Sequence, residues 1–110
     1  MKINILVASE FNEQFIQGMS DRMSMSYYKY GPVRQAFPKL VDAIQTLKLK
    51  LLEYEETGNT EFLIDVANYA MIEFTLPKHL NAHFKATDNK DSKGRLWNKE
   101  VDFSHRRNDE

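Results

Sequence analysis

Set at helical spacing, the stretch from Asn59 to Phe74 (NTEFLIDVANYAMIEF) is apolar almost all the way round. Glu61, Asp65 and Asn68 interrupt that surface along one narrow line, at i, i+4 and i+7. A helix this greasy has to be covered on most sides, so it reads as the central helix of a small domain. Its polar line then needs a partner, either a ligand or groups elsewhere in the fold that satisfy it.

The flanking sequence supplies two more helices. Phe11, Phe15, Ile16, Met19 and Met23 recur at three- and four-residue steps, predicting a first helix over about 10–24 with Ser9 as N-cap. Gly18 weakens it by about 1 kcal/mol relative to alanine, a cost that packing covers. Its methionines suit either a core or an adaptable contact surface. Pro38 fits a first helical position, and a second helix is expected from there to about Glu56. One face of it carries Phe37, Leu40, Val41, Ile44, Leu47, Leu51 and Tyr54, while Leu49 and Leu52 lie outside that stripe and widen it towards a further partner. Gly58 offers a left-handed helix end, and Asn59 or Thr60 a cap for the next helix. So short a turn folds the second and third helices into an antiparallel hairpin. The expected fold is therefore all-α: a small bundle of three main helices built on an antiparallel helical hairpin, with an irregular C-terminal segment. Residues 1–97 are expected to form a single helical domain and 98–110 a flexible tail, with Trp97 as an anchor.

At 110 residues with no cysteine, the chain holds neither a disulfide framework nor a thiolate metal site. Ile3 to Ala8 is too short an apolar run for a signal-peptide core or a membrane span and reads as a weak extended segment, so a cytoplasmic location without membrane contact is the expectation. The net charge of −1 conceals a segregation. Five basic residues and one acid lie between Lys29 and Lys50, whereas six acids and no Lys or Arg lie between Glu53 and Glu73. The hairpin brings Glu53 and Glu56, at the end of one helix, towards Glu61 and Asp65 at the start of the next. These four with Asn68 form a candidate polar or metal site, for which magnesium is the natural ion although none is required. Lys29 or Arg34 would be natural partners for Asp65. Tyr27, Tyr28, Lys29, Tyr30 and Arg34 form a second candidate site, since tyrosines interleaved with cations suit a nucleotide or a protein partner. The alternative is that the rings cap the core with their hydroxyls in water.

Other motifs are weaker. His79 and His83 have the spacing of a two-histidine metal face, but no Glu follows His79 and Pro77 opposes a helix there, so His83 and Phe84 are expected to pack a loop back on the bundle. Asp88 to Gly94 has Lys90 where a calcium loop needs an oxygen ligand and reads as a solvated turn.

Lys29-Tyr30-Gly31 ahead of the hairpin, and Asp65-Val-Ala-Asn68-Tyr69 within the third helix, resemble elements of the MazG-like all-α nucleoside triphosphate pyrophosphohydrolases. That resemblance implies an E-x-x-E on one helix and an E-x-x-D on the next, holding magnesium against a triphosphate. Glu53-Tyr-Glu-Glu56 matches the first motif. At the second, Glu61 stands four residues before Asp65, with Phe62 at the position three before it. The stretches around Thr57-Gly-Asn-Thr60 and Asp65 to Ala70 also resemble small accessory proteins of phages and prophages. With the second motif out of register and no glycine-rich phosphate loop or serine elbow, the expectation is a non-catalytic accessory binding protein. It would be an inhibitor or nucleotide sponge that captures a host protein or a nucleotide, and would form a homo-oligomer. The alternative is a magnesium-dependent nucleotide pyrophosphohydrolase. Free nucleic-acid binding is not expected, because no continuous basic stripe supports it.

Overall fold

The computed structural model describes residues 9–87 and the backbone of two short strands, Lys93–Arg95 and Glu100–Asp102. The chain divides into two units, Met1–Leu80 and Asn81–Glu110. The described elements of the first are all helical: α1 (Glu13–Tyr30), a 3-10 turn (Val33–Gln35), α2 (Ala43–Thr57) and α3 (Glu61–Thr75). In the second, residues 82–87 are irregular, and the two strands (β1 and β2) pair antiparallel with Gly94 opposite Val101. The expected extended segment at residues 1–8, the Trp97 anchor, most of the 98–110 tail and residues 88–92 of the expected solvated loop lie outside the described residues, while the end of that loop, Lys93 and Gly94, belongs to β1.

Helix α1 starts later and ends later than its periodicity predicts. Asn12, rather than Ser9, is the N-cap: its Oδ1 accepts from the Phe15 amide at 2.8 Å. The helix then runs on through the tyrosines until Gly31, whose φ of 81° lies where a side chain is strained. Helix α2 also starts later, because Pro38 is not its first residue. Residues 33–41 wind through consecutive turns in which the amides of Leu40 and Val41 both donate to Ala36 O at 2.9 Å. Asp42 then caps α2, accepting from the Gln45 amide at 3.0 Å and satisfying one of the orphan donors of the first turn.

The hairpin forms as its sequence predicts. Gly58 takes the left-handed conformation (φ 74°, ψ 8°) and donates to Tyr54 O at 2.7 Å. Asn59 Oδ1 accepts from the Glu61 amide at 3.0 Å, so Asn59 holds the start of α3 by its side chain while Thr60 makes no capping bond. Helices α2 and α3 pack along their length, and α1 packs on α3 over a shorter contact. Helix α3 is thus the shared element of the unit, as its all-round apolarity requires.

The covered face of α2 agrees with the predicted stripe in part. Ala43 is buried and Ile44, Thr46, Leu47, Lys50, Glu53 and Tyr54 are half-buried, whereas Leu40 is 80% exposed and Val41, Leu49, Leu51 and Leu52 lie at the surface. Lys50 contributes to the contact by setting its ammonium 5.6 Å from the centre of the Phe62 ring and 3.6 Å from Glu53. A lysine stem packs like an aliphatic side chain, which lets α2 rotate its leucines outwards. Phe37 does reach the core side, with its ring 6.1 Å from that of Tyr69. In the second unit Phe84 is 80% exposed, and His83 Nδ1 lies 2.8 Å from Asn81 O.

Two contacts position the ends of the unit. Gly18 lies where α1 meets α3, and a Cβ there would stand 2.6 Å from Ile64 Cδ1. The close approach is why glycine is tolerated in mid-helix. Past α3, Lys78 Nζ bonds Asp42 Oδ2 at 2.8 Å, which lowers the Asp42 pKa and raises that of Lys78. Glu73 Oε2 accepts from the Lys78 amide at 3.0 Å and so closes the turn around Pro77.

Gly18→Leu is expected to separate α1 from α3 and lower stability by roughly 1–3 kcal/mol, with Gly18→Ala much milder because the terminal methyl of Ile64 can move. Thermal unfolding of the two variants checks this ordering. A depressed carboxylate stabilises above its unfolded pKa and a raised ammonium below its own. The Asp42–Lys78 contribution should therefore be present from about pH 4 to pH 10, lost as pH falls through the folded Asp42 value or rises through that of Lys78. In Lys78→Met the pH dependence at both limits should flatten.

Candidate functional site

Along α1, Phe15, Gly18, Met19, Arg22 and Ser26 follow the line that is at least half-buried. Arg22 therefore points at α3 from an otherwise apolar row. On α3 the matching row is Glu61, Asp65, Asn68 and Ile72, of which the last three are buried. Arg22 Nε donates to Asp65 Oδ1 at 2.8 Å, and its Nη1 donates to Glu61 Oε1 at 3.3 Å. The Asp65 side chain is only 11% exposed, whereas those of Arg22 and Glu61 are 38% and 58% exposed. The guanidinium thus neutralises a nearly buried carboxylate and reaches an exposed one with its other edge.

Asn68, one turn further along α3, binds the main chain of α1. Its Nδ2 donates to Met19 O at 3.1 Å. The carbonyl fixes which end of the amide faces α1, since only the nitrogen donates. Oδ1 is consequently buried with no hydrogen-bond partner. The residue as a whole is 5% exposed, so this acceptor carries a real desolvation cost.

The expected carboxylate cluster is divided. Glu61 and Asp65 face α1 and are held by Arg22, Glu53 pairs with Lys50 on its own helix, and Glu56 is exposed. Among the described residues no three His, Asp or Glu side chains stand together as ligands for a metal ion. Neither Lys29 nor Arg34 is the partner of Asp65; Arg22 is. The sequence carried a signal for it: Arg22 lies seven residues after Phe15 and four after Gly18, on the line of α1 that faces α3, where a charge needs an opposite charge. His79 and His83 lie outside any helix, at a bend and in irregular chain, so they share no helical face.

The tyrosine cluster belongs to the last turn of α1 rather than to a connection, which spreads it around the helix. Tyr28 and Tyr30 are 86% and 75% exposed, Tyr27 stands edge-on to Tyr28 at 5.8 Å between ring centres, and Arg34 is exposed in the 3-10 turn. Two hollows flank α1 where it crosses α3. The larger, about 810 Å³, is walled by Ile16, Met19, Met23 and Met71, with Tyr27 at one end and Glu13 at the other. The smaller, about 270 Å³, has Lys29 and Tyr30 at its rim and Arg22, Asp65 and Tyr69 in its wall. Asn68 lies between the two and lines both.

Arg22→Ala should leave Asp65 nearly buried without its counter-charge and destabilise the protein by roughly 2 kcal/mol, allowing for solvent at the arginine. Arg34→Ala should change stability by less than about 0.5 kcal/mol. Chemical denaturation of both variants measures the difference.

No described helix is long and apolar enough to cross a membrane. In comparisons with known proteins, no family model, no curated protein and no solved structure matches the chain.

Proposed function

We propose that this chain is a non-catalytic binding protein that captures a protein partner on the tyrosine-bearing end of α1. The observation that carries this reading is the exposure of Tyr28 and Tyr30 at a helix end also bearing Lys29. Tyrosine gives a large, stiff contact area at small entropic cost and is enriched at the centres of protein interfaces. Residues 86% and 75% exposed contribute little to the core of the unit, which counts against the reading in which these tyrosines cap it. The sequence resemblance of residues 57–60 and 65–70 to phage and prophage accessory proteins favours a host protein as the partner class, with inhibition of that protein as the proposed outcome.

A nucleotide is the second ligand class. It is favoured by the smaller hollow, where Lys29 and Tyr30 stand at the rim as a cation and a stacking ring would for a phosphate and its base. Magnesium-dependent pyrophosphohydrolysis has less support, because metal-assisted hydrolysis needs free carboxylate oxygens converging on one ion. Here Arg22 occupies oxygens of both Glu61 and Asp65.

The test combines two measurements. Incubation with magnesium and the deoxynucleoside triphosphates is expected to release no pyrophosphate; turnover that vanishes in Asp65→Ala would overturn the binding-only reading. Immobilised wild-type chain should retain a specific host protein that the Tyr28→Ala/Tyr30→Ala double variant loses at an unchanged melting temperature. Saturable nucleotide binding lost in the same variant would assign the surface to the second ligand class.

A further inference from the structure

The smaller hollow beside α1 has room for one large side chain: its volume of about 270 Å³ lies just under the roughly 300 Å³ at which small-molecule sites begin. From α1 it takes Arg22, Met25, Ser26, Lys29 and Tyr30, at i, i+3, i+4, i+7 and i+8, hence from one face of that helix. Phe37 and Tyr69 add two rings to the wall, their centres 6.1 Å apart and their planes tilted by 53°. A third ring packs edge to face on such a pair. Met23 and Met25 also line the hollow, and flexible thioethers adapt to whatever ring enters. Met25 is 56% exposed, so the unit leaves part of this apolar lining in water.

The charges of the lining do not balance. Arg22 and Asp65 cancel each other through their 2.8 Å bond. Lys29 remains, exposed and in no ion pair among the described residues. Arg34, next in the chain to the Val33 that lines the hollow, is likewise exposed and in no such pair. An apolar socket therefore opens beside two uncompensated cations.

We infer that this hollow is the anchor socket for an acidic segment of the captured protein, taking one phenylalanine side chain against Phe37 and Tyr69 while the carboxylates that flank it meet Lys29 and Arg34. The inference rests on the reading of the tyrosine end as a protein-capturing surface and names the chemistry of what is captured. Charge complementarity decides the sign of the partner: a basic segment would set like charges against Lys29 and Arg34, and an uncharged one would leave both cations unused. The anchor is aromatic because binding energy concentrates on a few large side chains seated in pockets, and the two rings of the wall suit another ring. Phenylalanine fits better than tyrosine, whose hydroxyl would need a buried partner.

The probe is a fluorescein-labelled peptide of sequence GDEFEDG, titrated with the full chain at low salt and followed by fluorescence anisotropy. It should bind saturably with a dissociation constant below about 1 mM, at least about 10-fold more tightly than GDEAEDG, and GKKFKKG should not bind. Lys29→Glu should weaken binding of GDEFEDG about 10-fold at an unchanged melting temperature. Ser26→Phe, which fills the hollow from α1, should abolish it. No binding below about 1 mM, equal binding of the phenylalanine and alanine peptides, or indifference to Lys29→Glu would each overturn the proposal. Host-protein capture that persists in Lys29→Glu and Ser26→Phe but is lost in Tyr28→Ala/Tyr30→Ala would overturn it alone and leave the tyrosine reading standing. Absence of capture by the wild-type chain would overturn both.

Discussion

The ion pair between Arg22 and Asp65 sets the relation of α1 to the hairpin. A carboxylate 11% exposed is tolerable only with a counter-charge, and the counter-charge comes from another helix at 2.8 Å. Helix α1 is therefore held to α3 at one height and one rotation. Gly18, one turn earlier, lets the backbones approach, and Asn68, one turn along α3, bonds the main chain of α1. Apolar contact alone would be less selective, since methionine and isoleucine pack acceptably in several registers.

This arrangement changes the meaning of the acidic hairpin. Carboxylates at the start of α3 look in sequence like oxygens available to a cation; in the fold the available cation is already a side chain. The same residues can build either kind of site, and the deciding group is forty-odd positions away. For this chain the polar row on α3 joins α1 to the hairpin.

The hairpin and the number of helices were legible in the sequence because local chemistry determines both. Gly58 is adapted to a positive φ, Asn59 to a helix start, and the apolarity of residues 59–74 to a central position. The limits of α1 and α2 were less legible: the sequence points to Ser9 as the first cap and to Pro38 as the first residue of α2, whereas the side chains that bond an orphan amide are those of Asn12 and Asp42. The rotation of α2 was hidden because Lys50 counts as polar in any pattern, yet its stem and its position over Phe62 make it a packing residue. Asp65 and Asn68 were recognisable as residues needing partners, but the identity of those partners depends on how α1 crosses α3, which no local pattern encodes.

The bond from Asn68 to Met19 ends on a carbonyl oxygen rather than on a side chain. Every amino acid supplies the same carbonyl, so the anchor survives any replacement at position 19 that keeps the helix. Helix α1 can thus exchange much of its outward surface while the crossing beneath stays where it is, because one amide aimed at the main chain separates the register of the two helices from the side chains that cover them.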